Sequence, residues 1–484
     1  MARVVVLGAG ISGHTASLHL RRLLGKEHEV VVVSPNARYN WIPSNIWVGV
    51  GRMTPEDVTF PLAPVYGKRR IGFHHAKAVT LWPEGQDGRT RGGVDIEHTS
   101  AGREGRIERI EYDYLINATG PKLDFAATPG LGPEGHSLSV CTAEHAASTF
   151  AAFADVIRRL KNGEPQTLLV GMGHGTCTGE GAAFAFAFNV EHELRTRGLR
   201  DLAEIIYLTN EYELGDFGVG GLSLTEHGRV TSSRLWTESL LRERGIKAVV
   251  RAHVQRVEAG KAYYETLDGT EGSIAFDFAM LLPPFRGVDL QAFDHDGAEI
   301  TSELFDPSGF LKVDADYSTR PFDQWQAADW PRTYVSPKYA TMFGVGIAFA
   351  PPHPISTPRT TDAGTVISPA PPRTGMPSAV MGRQVACSVA DLIDGKSTVP
   401  THSASMAEMG APFVTSAGTG IRGAAASLTM FPVVPDYRRY PEYGRDLAGT
   451  TAEIGLAGHW LKRMLHHLFI YKAKGRPGWS FIPE

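Results

Sequence analysis

Cys177 is the residue with the clearest chemical potential in this 484-residue chain. It ends the run Leu168-Leu169-Val170-Gly171-Met172-Gly173-His174-Gly175-Thr176-Cys177, an apolar strand passing into a glycine-rich turn. A thiol at the opening of a helix is expected to have a lowered pKa, because the helix dipole favours the anion. A thiolate there would be a nucleophile toward sulfur or an electron-poor ring near neutral pH. His174, three residues earlier, could serve as its base or polarise it, and Glu180 could take up a proton. Each also has a plainer reading, as a solvated turn histidine and a solvent-facing carboxylate.

The elements that must position these groups are legible. Arg3–Leu7 is a β-branched apolar run, followed by the turn Gly8-Ala9-Gly10-Ile11-Ser12-Gly13, a helix over Ile11–Leu24 and a second strand at Glu29–Val33. This βαβ unit predicts dinucleotide binding, with the glycines allowing close backbone approach and the helix N-terminus facing a pyrophosphate. An acidic residue normally follows the second strand and binds the ribose. Here Ser34 and Asn36 stand there as neutral substitutes. A second unit is expected from Gln166–Val170, a helix Ala182–Glu193 and a strand Ile205–Leu208.

Two such units indicate a flavoprotein with two dinucleotide-type domains and FAD in the first. The second turn has Thr176 at the third glycine position and a thiol directly after it, which points toward sulfur chemistry beside a flavin. Glu211, after the next strand, could bind a ribose, so NADH oxidation stays open as an alternative. Tyr112–Pro121 should be a strand entering the turn Ala118-Thr119-Gly120 and passing the FAD. Tyr339–Ala348, containing Gly346, should return to it, ahead of a helix over Ser378–Ile393. Between these, His353–Pro372 is rich in Pro, Thr and Ser and reads as a solvated loop or as a wall over the flavin.

Composition narrows the class. With 42% hydrophobic and 21% charged residues and a net charge of −4, nothing draws the chain to nucleic acid. Three cysteines are too few for a disulfide scaffold and lack metal-ligand spacing. No stretch reaches the roughly 18 apolar residues of a spanning helix. The first strand begins by Arg3, so no signal peptide is expected. Gly455–Lys474 places Trp460, Leu461, Met464, Leu465, Leu468 and Phe469 on one helical stripe. Lys462, Arg463, His466, His467, Lys472, Lys474 and Arg476 fall opposite or beyond it. That is the pattern of a helix lying in a membrane surface, or of a helix packed on the protein body or a dimer partner.

Several segments resemble the sulfide:quinone oxidoreductases. They are Ile42-Pro43-Ser44-Asn45-Ile46-Trp47-Val48-Gly49-Val50-Gly51, Ala118-Thr119-Gly120-Pro121-Lys122-Leu123, Val140-Cys141-Thr142 with His145, Cys177-Thr178-Gly179, and Arg373-Thr374-Gly375. The resemblance implies an α/β fold of the glutathione-reductase type, with two Rossmann-like domains. Residues 1–145 completed by 300–395 would bind FAD, 146–299 would carry Cys177, and 396–484 would hold the membrane-surface helix. It implies a reduced sulfur substrate, a membrane quinone as acceptor, and a homo-oligomer or a cytochrome partner.

Among the site residues the resemblance makes Cys177 the first redox cysteine and Cys141 a further one. Pro43, Ser44, Asn45, Gly346, Thr374 and Gly375 would lie along the flavin, with Arg373 near its pyrimidine ring as a cation for the reduced, anionic form. The second redox cysteine is missing: Ser405, in Ala404-Ser405-Met406-Ala407-Glu408-Met409-Gly410, stands in its place, and Asp216 where members often have histidine. A hydroxyl cannot form a disulfide. Cys387 lies about 11 residues, roughly 16 Å, along its helix from the expected flavin end, beyond the ~7 Å a disulfide allows, and reads as a buried structural thiol. Cys141 is the better partner for Cys177.

Overall fold

The computed structural model describes residues 1–484 except Asp87, Arg89, Thr374, Gly420 and Ile421. The fold is mixed α/β, built on three main sheets. Arg3–Leu7 is a strand with the expected bounds, with Val4, Val5, Val6 and Leu7 wholly buried. It pairs in parallel with Glu29–Ser34 on one side (Val4 against Val30) and with Tyr114–Asn117 on the other (Val4 against Tyr114). Met342–Gly344 adds to the far side of Tyr114–Asn117, and Gly72–Trp82 to Glu29–Ser34, both in parallel. Strands buried on both faces read as continuous apolar runs, as these do.

Helix α1, Ile11–Leu23, covers one face of this sheet, and helix α3, Gly375–Ile393, packs along α1. The contact is close because Gly382 has no side chain: a Cβ there would lie 2.3 Å from the Ser12 carbonyl oxygen. Of the expected strand Tyr339–Ala348, only Met342–Gly344 is extended. Gly346 takes φ +68 and opens a short 3₁₀ turn over Gly346–Ala348.

The second parallel sheet runs Lys247–Val249, Ala203–Leu208, Gln166–Met172, Phe278–Leu282. Helix α2, Glu180–Thr196, follows its central strand and begins two residues before the expected Ala182. The third sheet joins Ala411–Thr419, Arg422–Met430 and Thr451–Ile454 to Ser223–Glu226 and Arg229–Ser232. Strands far apart in the chain thus share one sheet.

Helix α4, Leu456–Ala473, packs on that third sheet and is tied to α1 through His14. Three polar side chains point inward. Lys462 Nζ donates to Val414 O at 2.7 Å, His466 Nδ1 is 2.9 Å from Ser44 Oγ, and Lys472 Nζ donates to Ile482 O at 2.6 Å. His14 of α1 grips the far end, its Nε2 2.7 Å from Ala473 O and its Nδ1 2.9 Å from Tyr66 OH. Phe469 alone of the stripe is buried, stacked 4.8 Å from Trp41. Leu456, Trp460, Leu461, Met464 and Leu468 face outward, Trp460 and Met464 at 50% exposure. The face opposite the stripe is therefore in part an inner one, because Lys462, His466 and Lys472 close carbonyl and hydroxyl groups that would otherwise be unpaired. No described helix is long and apolar enough to cross a membrane.

Candidate active site

The first glycine turn is a cradle. Gly8 sits at φ +97, and a Cβ there would be 2.1 Å from Ala118 O; at Gly13 it would be 2.1 Å from Gly8 O. Around Gly10 and Gly120, by contrast, a Cβ would meet nothing within 4 Å. Helix α1 starts on Gly10 with no capping side chain, which leaves its first-turn N–H groups for a ligand. A Cβ at Gly346 would be 2.1 Å from Ser12 Oγ, and one at Gly375 3.2 Å from Ile11 Cδ1 and 3.6 Å from Pro43 Cγ. Gly8, Gly10, Ile11, Ser12, Gly13, Pro43, Ala118, Thr119, Gly120, Gly346 and Gly375 are thus brought together at the carboxyl ends of parallel strands. Closely packed backbone beside open space at a helix N-terminus suits the pyrophosphate of FAD. Asn117 fixes the second wall by accepting from Thr119 Oγ1 at 2.8 Å and Thr119 N at 3.2 Å.

Four of the proposed cofactor contacts are otherwise engaged. Ser34 Oγ donates to Asn36 O at 3.1 Å and accepts from Asn36 N at 3.2 Å, closing its own turn. Asn36 is exposed beyond it. Ser44 is held by His466, and buried Asn45 exchanges amide bonds with Asn40 and donates to Val140 O at 3.2 Å. Arg373 Nη1 donates to Ile347 O at 2.7 Å and Phe349 O at 2.9 Å, with its guanidinium 4.2 Å from the Phe310 ring centre. Burial lowers it to about 10. Its Nε is enclosed with no partner among the described residues. Thr374 lies outside the described residues.

Around the second turn the thiol is not activated in the expected way. Cys177 is wholly buried, and its Sγ donates to Leu282 O at 3.1 Å. Burial first, and then the Glu180 carboxyl, push it well above the ordinary thiol range. The helix dipole does not win because α2 starts three residues later, beyond Gly179, and because its first residue is itself acidic. His174 is turned from the thiol: its Nδ1 is 2.9 Å from Thr176 Oγ1 and accepts from Thr176 N at 3.2 Å. Burial, then His253, lower it to about 4, so it is neutral at pH 7. Cys141 is partly buried, its thiol pushed up to about 11 by burial; it lies near enough to Cys177 to disfavour that residue's anion. Ser405 Oγ accepts from Ala407 N at 3.2 Å within its own turn. Cys387 is only partly buried, unlike the enclosed thiol expected from its helix. Three free cysteines are described, none bridged.

Known proteins share this fold. The sulfide-quinone reductase of Aquifex aeolicus is 30% identical over 388 residues, covering 80% of this chain and 75% of that one. The chain belongs to the sulfide:quinone reductase family. No family model matches it. A crystal structure of the sulfide:quinone oxidoreductase from Aquifex aeolicus superposes with a TM-score of 0.74 at 26% identity, over 98% of this chain and 92% of that one. The mitochondrial sulfide:quinone oxidoreductase of Mus musculus is 25% identical over 354 residues, 71% of this chain and 64% of that protein. NDH2 of Plasmodium falciparum, solved with NADH, shares the fold at a TM-score of 0.61 and 12% identity, over 99% and 97% of the two chains.

The second turn is filled by the chain itself. A Cβ at Gly171 would lie 1.8 Å from Leu208 O, at Gly173 2.5 Å from Leu131 Cδ1, and at Gly175 2.3 Å from Val366 O. The loop around Val366–Pro371 is laid over the turn, with Ser368 N donating to Gly175 O at 2.8 Å and Ala370 N to Cys177 O at 2.9 Å. These glycines make room for the protein's own backbone. Glu211 is likewise enclosed, accepting from Gly215 N, Phe217 N and Thr209 Oγ1 at 3.1, 2.9 and 2.9 Å. The sequence left that loop between two readings, and it covers the second turn. Its backbone contacts carry no side-chain signal, which is why the pairing was not legible.

Proposed function

We propose that this sulfide:quinone reductase oxidises sulfide at Cys177 and passes the electrons through FAD to a quinone drawn from a lipid surface. The observation that carries the reading is a buried thiol in a second turn that the chain itself has closed, beside a first turn left open for a dinucleotide. Bound FAD supplies a two-electron acceptor. A fully enclosed thiol admits only a small donor such as hydrosulfide. The balance is Cys177–SH + HS⁻ → Cys177–S–SH + H⁺ + 2 e⁻: one sulfur–sulfur bond forms, the thiol's S–H bond breaks, and the electron pair leaves to the flavin.

Ser405 cannot take up the sulfur, so Cys141 or an external thiol would receive it. Arg373, held by two carbonyls, would place positive charge beside the reduced cofactor. The outward apolar stripe Leu456, Trp460, Leu461, Met464 and Leu468 suits an in-plane lipid contact, bringing the chain to the quinone. The test is anaerobic mixing of the FAD-loaded protein with sulfide and, separately, with NADH. Bleaching of the flavin band by sulfide alone is the expected result. Bleaching by NADH alone would move the protein to the dehydrogenase relatives.

A further inference from the structure

Away from the two glycine turns, one cluster of side chains has the make-up of a metal centre. His74, His98 and Glu108 stand on Gly72–Trp82, Gly92–His98 and Ile107–Tyr112, three neighbouring antiparallel strands at the edge of the first sheet. Their register puts all three on one face. Ala76 is opposite His98 and Ile96 is opposite Glu108, so His74 and Glu108 are each a diagonal neighbour of His98, within reach of long side chains. Each offers one ligand atom, and the three atoms lie within 4.8 Å of one another. In a tetrahedral zinc site with bonds of about 2.0–2.1 Å, ligand atoms are roughly 3.3 Å apart, so the cluster is within about 1.5 Å of closing.

The hydrogen bonding at this cluster is in conflict. Glu108 Oε2 is 2.9 Å from His98 Nε2, and Arg103 Nη2 is 2.9 Å from that nitrogen and 3.1 Å from that oxygen. If His98 Nε2 carries a proton, it donates to Glu108 and meets Arg103 donor to donor. If it carries none, it accepts from Arg103 and sets its lone pair against the carboxylate. One side of the triangle is unfavourable either way. The His98 side chain is only 2% exposed, so water does not relieve it. The His74 ring, centred 6.1 Å from that of His98, takes part in no hydrogen bond among the described residues. The Arg103 guanidinium stands where a cation is wanted, but its side chain is 44% exposed and free to swing into solvent.

We infer that His74, His98 and Glu108 bind a divalent ion of the zinc class, which displaces the Arg103 guanidinium. Two imidazoles and one carboxylate form a donor set that zinc accepts, with a water completing the tetrahedron. The ion turns the lone pairs of His98 and Glu108 toward one centre and gives His74 a partner. It ties three strands together, and His74 lies directly beside Val33 of the neighbouring parallel strand Glu29–Ser34. This site is independent of the reading of Cys177.

The test is calorimetric titration of the chelator-treated, FAD-loaded protein with Zn²⁺. Wild type should bind one ion per chain, and X-ray absorption should show nitrogen and oxygen neighbours at about 2.0–2.1 Å with no sulfur at about 2.3 Å. His74→Ala removes no hydrogen bond among the described residues, so the fold should persist, and binding should weaken on the order of 100-fold. Arg103→Ala should bind more tightly than wild type, because the competing guanidinium is gone. Zn²⁺ should raise the melting temperature of wild type and leave that of His74→Ala unmoved. Wild-type affinity in His74→Ala, sulfur around the zinc, or no binding at all overturns the site.

Discussion

The two glycine turns of this chain look alike on paper and differ in what meets them in space. Around the first, Gly10 and Gly120 front an open space while Gly8 and Gly13 clear backbone. Around the second, the contacts go to Leu208, Leu131 and Val366, all protein. Self-packing requires glycine at both, and only the first also keeps open space in front of Gly10 and Gly120. A glycine-rich fingerprint therefore reports crowding, and only the neighbouring loop says whether a nucleotide or the chain itself does the crowding.

That contrast can be broken most severely at Gly8. Gly8→Val drives a branched side chain into Ala118 O from a left-handed backbone and should abolish flavin retention, read as the visible-to-ultraviolet absorbance ratio. Gly175→Ala meets the covering loop at Val366 O and the His253 ring, away from the first turn, and should keep its flavin. Equal flavin loss in both would erase the distinction. Next, Cys177→Ser should retain the flavin while sulfide bleaching falls on the order of 1000-fold.

A smaller effect is expected at the outer stripe. Trp460→Gln with Met464→Gln and Leu468→Gln should weaken binding to anionic vesicles by about 3 kcal/mol, roughly 100-fold, in a sedimentation assay. Truncation after Gly455 is a poor substitute, since it also strips the partners of His14, Ser44 and Trp41. Least of all is a pH effect. Burial lowers His14 to about 4, so the unfolded chain binds its proton first as pH falls below 6.5. Stability should drop between pH 6.5 and 4, by at most about 3 kcal/mol, and His14→Gln should flatten that slope in denaturant titrations.

Much of this was legible beforehand. The strand Arg3–Leu7 needs nothing beyond its own apolar run, and the βαβ spacing fixes the cradle, because both are local. The thiol's state was not legible. Its pKa is set by burial under residues 366–371 and by the start of α2 at Glu180, a matter of tertiary packing and of two residues in a helix boundary. The docking of the C-terminal helix was not legible either. Its stripe is real, yet periodicity says only that two faces differ, and buried hydrogen bonds decided which face turns inward.

Helix α1 ends up with two duties at adjacent positions. Gly13 forms part of the cofactor cradle, and His14 clasps the last turn of the helix whose other side is bare hydrocarbon. Whatever surface that hydrocarbon rests on is therefore held at a fixed height above the cradle, with a single residue step as the strut. Tilting or lifting the outer helix would pull on the first glycine turn through His14, so that a change at one would be felt at the other.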